Sequence, residues 1–253
     1  MKIFVLSKDT ILIYGLVVLV LVGMFTVGTM SETVITNATI PKDLPVYRVK
    51  TEENKIAITF DAAWGDEDTD ELIAILNENG VKATFFMVGG FIERYPHSVK
   101  KFADAGHEIA NHSDTHLHMS GLGSENVIKE LSGCEKKITE ITGKSTKLFR
   151  APYGDYDEEL IKTSRKEGFQ VIQWDVDSLD WKDISADEIA ARVRKNVKSG
   201  SIILFHNGAK NTPEALKKLL PELKEKGYSF VTVGDLIYKE KYSINHEGEQ
   251  IKY

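Results

Sequence analysis

Residues 108–116 read EIANHSDTH, a short apolar run followed by two histidines four positions apart, His112 and His116. Side chains at i and i+4 on a helical turn share a face, so the pair reads as a clamp for one cation. An isolated pair of this kind also suits a polar surface turn. Its neighbours decide between the two. Asp61 ends the run IAITFD, Arg150 ends KLFR, Asp177 and Asp180 follow FQVIQW, and His206 ends SIILFH. Ionisable groups therefore stand at the ends of five apolar runs.

Working outward, apolar runs alternate with amphipathic stretches. Strands are expected over 56–60, 81–88, 108–110, 147–150, 169–176, 201–205 and 228–233. Helices are expected over 69–79, 97–105, 124–142, 158–167, 186–198 and 213–226, with Gly80, Gly106, Gly143, Gly168, Gly200 and Gly227 as stop signals. Such alternation predicts an α/β fold with a mainly parallel sheet, open or closed. Functional side chains at the C-terminal ends of several strands favour closure, and FDAAWGDE at 60–67 is no glycine-rich phosphate loop. The expected architecture is a distorted (β/α)7 barrel.

At 253 residues and 42% hydrophobic side chains, the chain can bury one full-sized core. A net charge of −6 argues against nucleic acid or an anionic lipid surface as the main partner. The one cysteine, Cys134, excludes an intramolecular disulfide. Ile11–Met30 is uncharged and mostly apolar, long enough to cross a hydrocarbon layer about 30 Å thick. Lys2 and Lys8 precede it and favour a cytoplasmic N-terminus. The expected organisation is a cytoplasmic stub and transmembrane signal-anchor over 1–30, a linker over 31–50, a catalytic domain over 51–240 and a polar tail over 241–253. The domain is then extracytoplasmic, membrane-anchored and monomeric; a cleaved signal peptide is the competing reading and also exports it.

Two imidazoles, strand-end carboxylates, an arginine and a further histidine are the parts of metal-assisted hydrolysis. The segments TFD at 59–61, HSDTH at 112–116, RAPYG at 150–154, DSLDW at 177–181 and LFH at 204–206 resemble, in this order, the motifs of the polysaccharide deacetylases, the fourth family of carbohydrate esterases with the NodB-homology domain. GVKATFF at 80–86 and GHEIANH at 106–112 are also close to that family, and the likeness runs from about Lys55 to Val233. The resemblance implies that Asp61 is the catalytic base and that Arg150 pairs with it. It implies that His112 and His116 bind a divalent metal; two imidazoles with oxygen ligands suit zinc, cobalt, nickel and manganese alike in kind, and zinc is the cofactor expected. It further implies that His206 is the general acid oriented by Asp180, that the Tyr153 backbone N–H helps hold the oxyanion, and that Trp181, Tyr153 and Pro152 line the sugar groove. The substrate implied is a cell-wall glycan.

One position departs from the pattern. The family's usual first motif has two adjacent aspartates, and the second, a metal ligand, is Ala62 here. The wording FD-x-x-WG resembles the sporulation-type branch, which implies peptidoglycan in a spore-forming bacterium. Among the remaining carboxylates, Asp66 is the nearest on the same loop and Gly65 allows the chain to turn back, so Asp66 is the candidate third ligand. Asp68 is expected to cap the next helix; Asp114, Asp61 or water are the other ways to complete the metal. The function expected is metal-dependent N-deacetylation of N-acetylhexosamine residues. The alternatives are a glycan-binding protein on an impaired deacetylase scaffold, or another metal-dependent barrel hydrolase or isomerase.

Overall fold

The computed structural model of the chain describes residues 43–253. The expected membrane span at Ile11–Met30 lies outside them, and among the described residues no helix is long and apolar enough to cross a membrane.

In chain order the elements are β1 (Arg48–Val49), β2 (Lys55–Ala62), α1 (Thr69–Glu78), β3 (Thr84–Met87), α2 (Gly89–Arg94), α3 (Pro96–Asp104), β4 (Glu108–Asn111), α4 (Ser124–Thr142), β5 (Leu148–Phe149) and α5 (Glu158–Lys166). They continue with β6 (Gln170–Val171), β7 (Val176–Asp177), α6 (Ala186–Asn196), β8 (Ile202–His206), α7 (Thr212–Glu225), β9 (Ser229–Phe230), α8 (Val233–Leu236), β10 (Tyr242–Ile244) and β11 (Glu249–Lys252). The expected helices form where their apolar stripes predicted them. The short α2 and α8 carry too few turns to show a periodicity.

The main sheet runs β6-β5-β4-β3-β2-β8-β7, all neighbours parallel, with β9 also paired to β2. Alternation along β2 sorts its side chains onto two faces. Ile56, Ile58 and Phe60 join the apolar layer under the helices, with Leu72, Leu76, Leu216 and Leu220. Ala57 faces a smaller interior cluster with Phe86, Ala110, Ile172 and Ile202. Strands β2 and β8 are in register with Asp61 opposite His206, which sets these two groups side by side at the same sheet end.

The sheet is a curled half-barrel, not a ring of seven equal strands. The single strand expected over 169–176 is two: β6 pairs with β5, and β7 pairs with β8 at the other end of the sheet. Between β6 and the start of β8 the chain inserts Val46, whose N–H donates to the Val171 carbonyl and whose carbonyl accepts from Gln173 N–H, and Val49, whose N–H donates to the Gly200 carbonyl.

Two boundaries therefore need correction. The described part of the expected linker, from Asp43, is folded: Val46 and Val49 are buried and β1 pairs with β11. The expected polar tail is folded too, since β10 and β11 complete a three-stranded sheet with β1. Buried Gln250 exchanges two hydrogen bonds with the Tyr238 backbone. A few polar residues per strand gave no readable pattern there. A chain starting at Thr51 loses the burial of two valines, at roughly 1.5–3 kcal/mol each. Its thermal unfolding midpoint is expected to fall by several degrees relative to a chain starting at Pro41; equal midpoints would return this segment to a linker.

Candidate active site

At the C-terminal ends of the strands lies a cavity of about 460 Å³ lined by Asp61, Ala63, Trp64, His112, His116, Tyr153, Trp174, Asp177, Trp181, Leu204 and His206. Arg150, fully buried beneath it, donates from one guanidinium nitrogen to Asp61 Oδ1 at 2.7 Å and to Thr59 Oγ1 at 3.0 Å, and from the other to the Gln173 carbonyl at 3.1 Å. Burial by itself pushes the Asp61 carboxyl up. The charge of the Arg150 guanidinium and its hydrogen bond, with the nearby His206, outweigh it and hold Asp61 below the usual carboxylate range.

His206 presents the opposite preference. Its Nδ1 lies 2.8 Å from Asp180 Oδ1, while Asp180 Oδ2 accepts from His206 N–H at 2.8 Å and from Thr212 Oγ1 at 2.6 Å. Burial works against the imidazolium, but the bond to Asp180 and the charges of Asp180, Asp61 and Asp177 win and raise the His206 pKa. Asp61 and His206 thus stand on adjacent strands with opposite shifts, the carboxyl moved down and the imidazole moved up.

The two histidines are not on a helical turn, as their spacing suggested. Ser113 (φ 69°) and His116 (φ 60°) take left-handed conformations, and Ser113 Oγ accepts the His116 N–H at 3.0 Å. Helix α4 supports this loop from below. Glu130 accepts from the N–H groups of Asp114 and Thr115 and from Thr115 Oγ1, and Asn111 bonds to Leu131 and Ser113. Asp114 points away from the cavity, to Lys137 at 2.6 Å, into a niche where a Cβ on Gly89 or Gly133 would collide with its carboxylate.

His112 Nδ1 lies 2.8 Å from the Arg150 carbonyl, an acceptor, so Nδ1 carries the proton and Nε2 of the neutral ring offers a lone pair. Burial keeps the ring neutral, lowering its pKa in spite of Asp61. That lone pair faces Asp61 Oδ2 at 3.5 Å. Two acceptors so placed call for a proton donor, a water or a cation between them. The His116 ring is 5.1 Å from that of His112, its Nδ1 is 3.1 Å from the Tyr153 hydroxyl, and burial pushes its pKa down to about 4. Among the described residues no three His, Cys, Asp or Glu side chains are grouped to hold a metal ion. The donor set suits a cation at His112 but does not close into three protein ligands.

Other expected positions fall elsewhere. Asp66 is not in the cavity; its Oδ2 accepts from Ser98 on α3 at 2.6 Å. Asp68 precedes α1 without a side-chain cap bond, because its Oδ2 accepts from Gly208 N–H at 2.7 Å, and burial pushes its pKa up to about 6. Ala62 belongs to the apolar layer under the helices. Pro152 is buried and starts the single turn that presents Tyr153, which is exposed at the cavity lip with φ 61°. Trp181 also lines the cavity and is half exposed, with Lys182 Nζ 4.8 Å from its ring centroid. Trp64 is the tryptophan of the FD-x-x-WG wording but was given no role there, and Trp174 and Glu130 had no sequence signal beyond residue type.

The family model for polysaccharide deacetylase matches residues 48–172. A peptidoglycan-N-acetylglucosamine deacetylase of Bacillus cereus is 38% identical over 203 residues, 78% of this chain and 94% of that protein. The chain belongs to the polysaccharide deacetylase family. As a member of it, this deacetylase is a hydrolase acting on the amide bond of an N-acetylated sugar. The Bacillus subtilis peptidoglycan-N-acetylmuramic acid deacetylase PdaA is 30% identical, covering 82% of this chain and 81% of its own. Among solved structures, a mutant of a Bacillus anthracis pseudoenzyme of the same esterase family, with restored enzymatic activity, superposes with a TM-score of 0.74 at 33% identity, over 76% of this chain and 71% of that one.

Removing the guanidinium leaves Asp61 charged and buried without its partner. Arg150→Met is expected to cost about 3–5 kcal/mol at neutral pH, read from denaturant unfolding. Because the Asp61 pKa is lowered in the fold, the pair's contribution is present above the ordinary carboxylate range and fades as pH falls through the lowered value. The gap between variant and parent is therefore expected to narrow in acid. For the second pair, Asp180→Asn removes what raises His206 and leaves the burial that lowers it. The alkaline limb of the pH–rate profile is expected to move to lower pH; an unmoved limb would show that His206 is not the group titrating there.

Proposed function

We propose that this deacetylase hydrolyses the N-acetyl group of N-acetylhexosamine residues in a cell-wall glycan, peptidoglycan or a chitin-like oligomer, releasing acetate. The observation that carries the reading is the placement of Asp61 and His206, in register on β2 and β8, with opposed proton preferences over one cavity. Asp61 takes a proton from a water as its oxygen attacks the acetyl carbon. The oxyanion forms beside the Tyr153 backbone, and His206 gives its proton to the leaving nitrogen as the C–N bond breaks, leaving acetate and the free amine. Trp174, Trp181 and Tyr153 offer aromatic surface to a sugar ring.

A divalent cation, zinc first, is the cofactor in this reading. His112 and His116 are its candidate protein ligands, and a Lewis acid there would polarise the carbonyl and acidify water. With Asp66 turned to Ser98, the remaining ligands are water and Asp61 Oδ2. Residues 1–30 anchor the domain on the outer face of the membrane, and the setting is sporulation. The open ligand set and the pseudoenzyme among the structural relatives favour one second reading, a glycan-binding protein without turnover.

Acetate release from N-acetylglucosamine oligomers separates the two. Asp61→Asn and His206→Ala are each expected to reduce the rate by about 10²- to 10⁴-fold, with folding retained. Chelator-treated protein is expected to lose activity and recover it with zinc, and His112→Ala to abolish zinc uptake measured by calorimetry. Sugar binding without acetate release would establish the second reading.

A further inference from the structure

Trp64 is a large apolar side chain that the fold does not use. It is 49% exposed, stands three residues after Asp61, and belongs to none of the three apolar clusters of the described residues. Its ring nevertheless lies flat against His206, with centroids 5.3 Å apart and planes inclined by 27°.

The loop that carries it is clipped to the loop that follows His206. Asn207 Nδ2 donates to the Gly65 carbonyl at 2.5 Å, Gly208 N–H donates to Asp68 Oδ2, and Asn207 N–H reaches the Asp61 carbonyl at 3.4 Å. Gly208 has φ +71°, a left-handed turn that brings its backbone under Trp64 and Gly65. The two strands that bear base and acid are thus tied together again just above them.

Asp180 holds the imidazole at one point, Nδ1, and the terminal torsion of histidine is broad. One hydrogen bond leaves the ring free to rock about it. A flat surface against one face removes that freedom and excludes water from that face.

We propose that Trp64 is the positioning residue for His206, fixing the plane of the imidazole so that its second nitrogen faces the leaving group. The proposal rests on the acid role given to His206 above. It differs from a sugar platform, which would act on substrate affinity.

Three versions of the chain test it: the parent, Trp64→Ala and Trp64→Phe, with N-acetylglucosamine oligomers as substrate. Trp64→Ala is expected to lower kcat about tenfold or more with KM within about threefold, and Trp64→Phe to restore kcat to within about threefold of the parent. A rise in KM with kcat unchanged, or no kinetic change at all, would overturn the proposal. The second readout needs no turnover: the order of the His206 ring in crystals of the parent and Trp64→Ala. Rotation of the ring, with Nδ1 still on Asp180, is expected in the variant, and an unmoved, fully ordered ring would also overturn the proposal. A parent chain that releases no acetate would count against the deacetylase reading, while the ring's order would still decide the role of Trp64.

Discussion

A guanidinium cannot be buried without negative charge and hydrogen-bond acceptors around it, and Arg150 is completely buried. Its demands organise the interior. Asp61 supplies the charge, Thr59 and Gln173 supply acceptors from β2 and from the chain between β6 and β7, and Phe86 lies 4.0 Å beneath the cation. The carbonyl of the same residue fixes the His112 tautomer. One side chain therefore sets the ionisation of Asp61, and its backbone sets the lone pair of the neighbouring imidazole. The tie also runs across the half-barrel, where β2 and β5 are not neighbours.

The second pair shows how similar parts yield the opposite outcome. Asp180 is buried more completely than Asp61, but its partner is an imidazole, whose charge is optional, and its second oxygen is occupied by the His206 backbone N–H and by Thr212. The carboxylate then stabilises a proton on its neighbour, where Arg150 stabilises the absence of one on Asp61. Helix α4 contributes support from outside the cavity, since Glu130, together with Asn111 at the end of β4, holds a loop whose left-handed residues would otherwise be unfavourable.

Much of this was legible from residue patterns. Helical stripes with glycine stops located six helices, and ionisable groups after apolar runs located Asp61, Arg150, Asp180 and His206. What failed has a common cause: contacts distant in sequence. Phe169 to Val176 reads as one strand because nothing local records that it changes partner midway. The histidine spacing suggested a helix, yet the loop obeys Glu130 from another element. Asp66 looked free because Ser98, its partner, lies 32 positions away. The terminal strands were missed because β1 is only two residues long and β10 and β11 are polar, and each is stabilised by the others.

The seam between β6 and β7 limits the cavity in a way that hydrogen bonds do not. A ladder can lengthen, slip or part; a peptide chain can only be pulled straight. Ile172 to Asp175 joins Val171, on the edge that leaves β5, to Val176, on the edge that joins β8, and the five extended steps between them reach at most about 16–18 Å. The half-barrel is a strip stitched along its two margins by its own thread. Its mouth beside Trp174 and Asp177 has a ceiling on its width set by contour length, and side-chain replacement along the rim can narrow that opening but cannot lengthen the stitch.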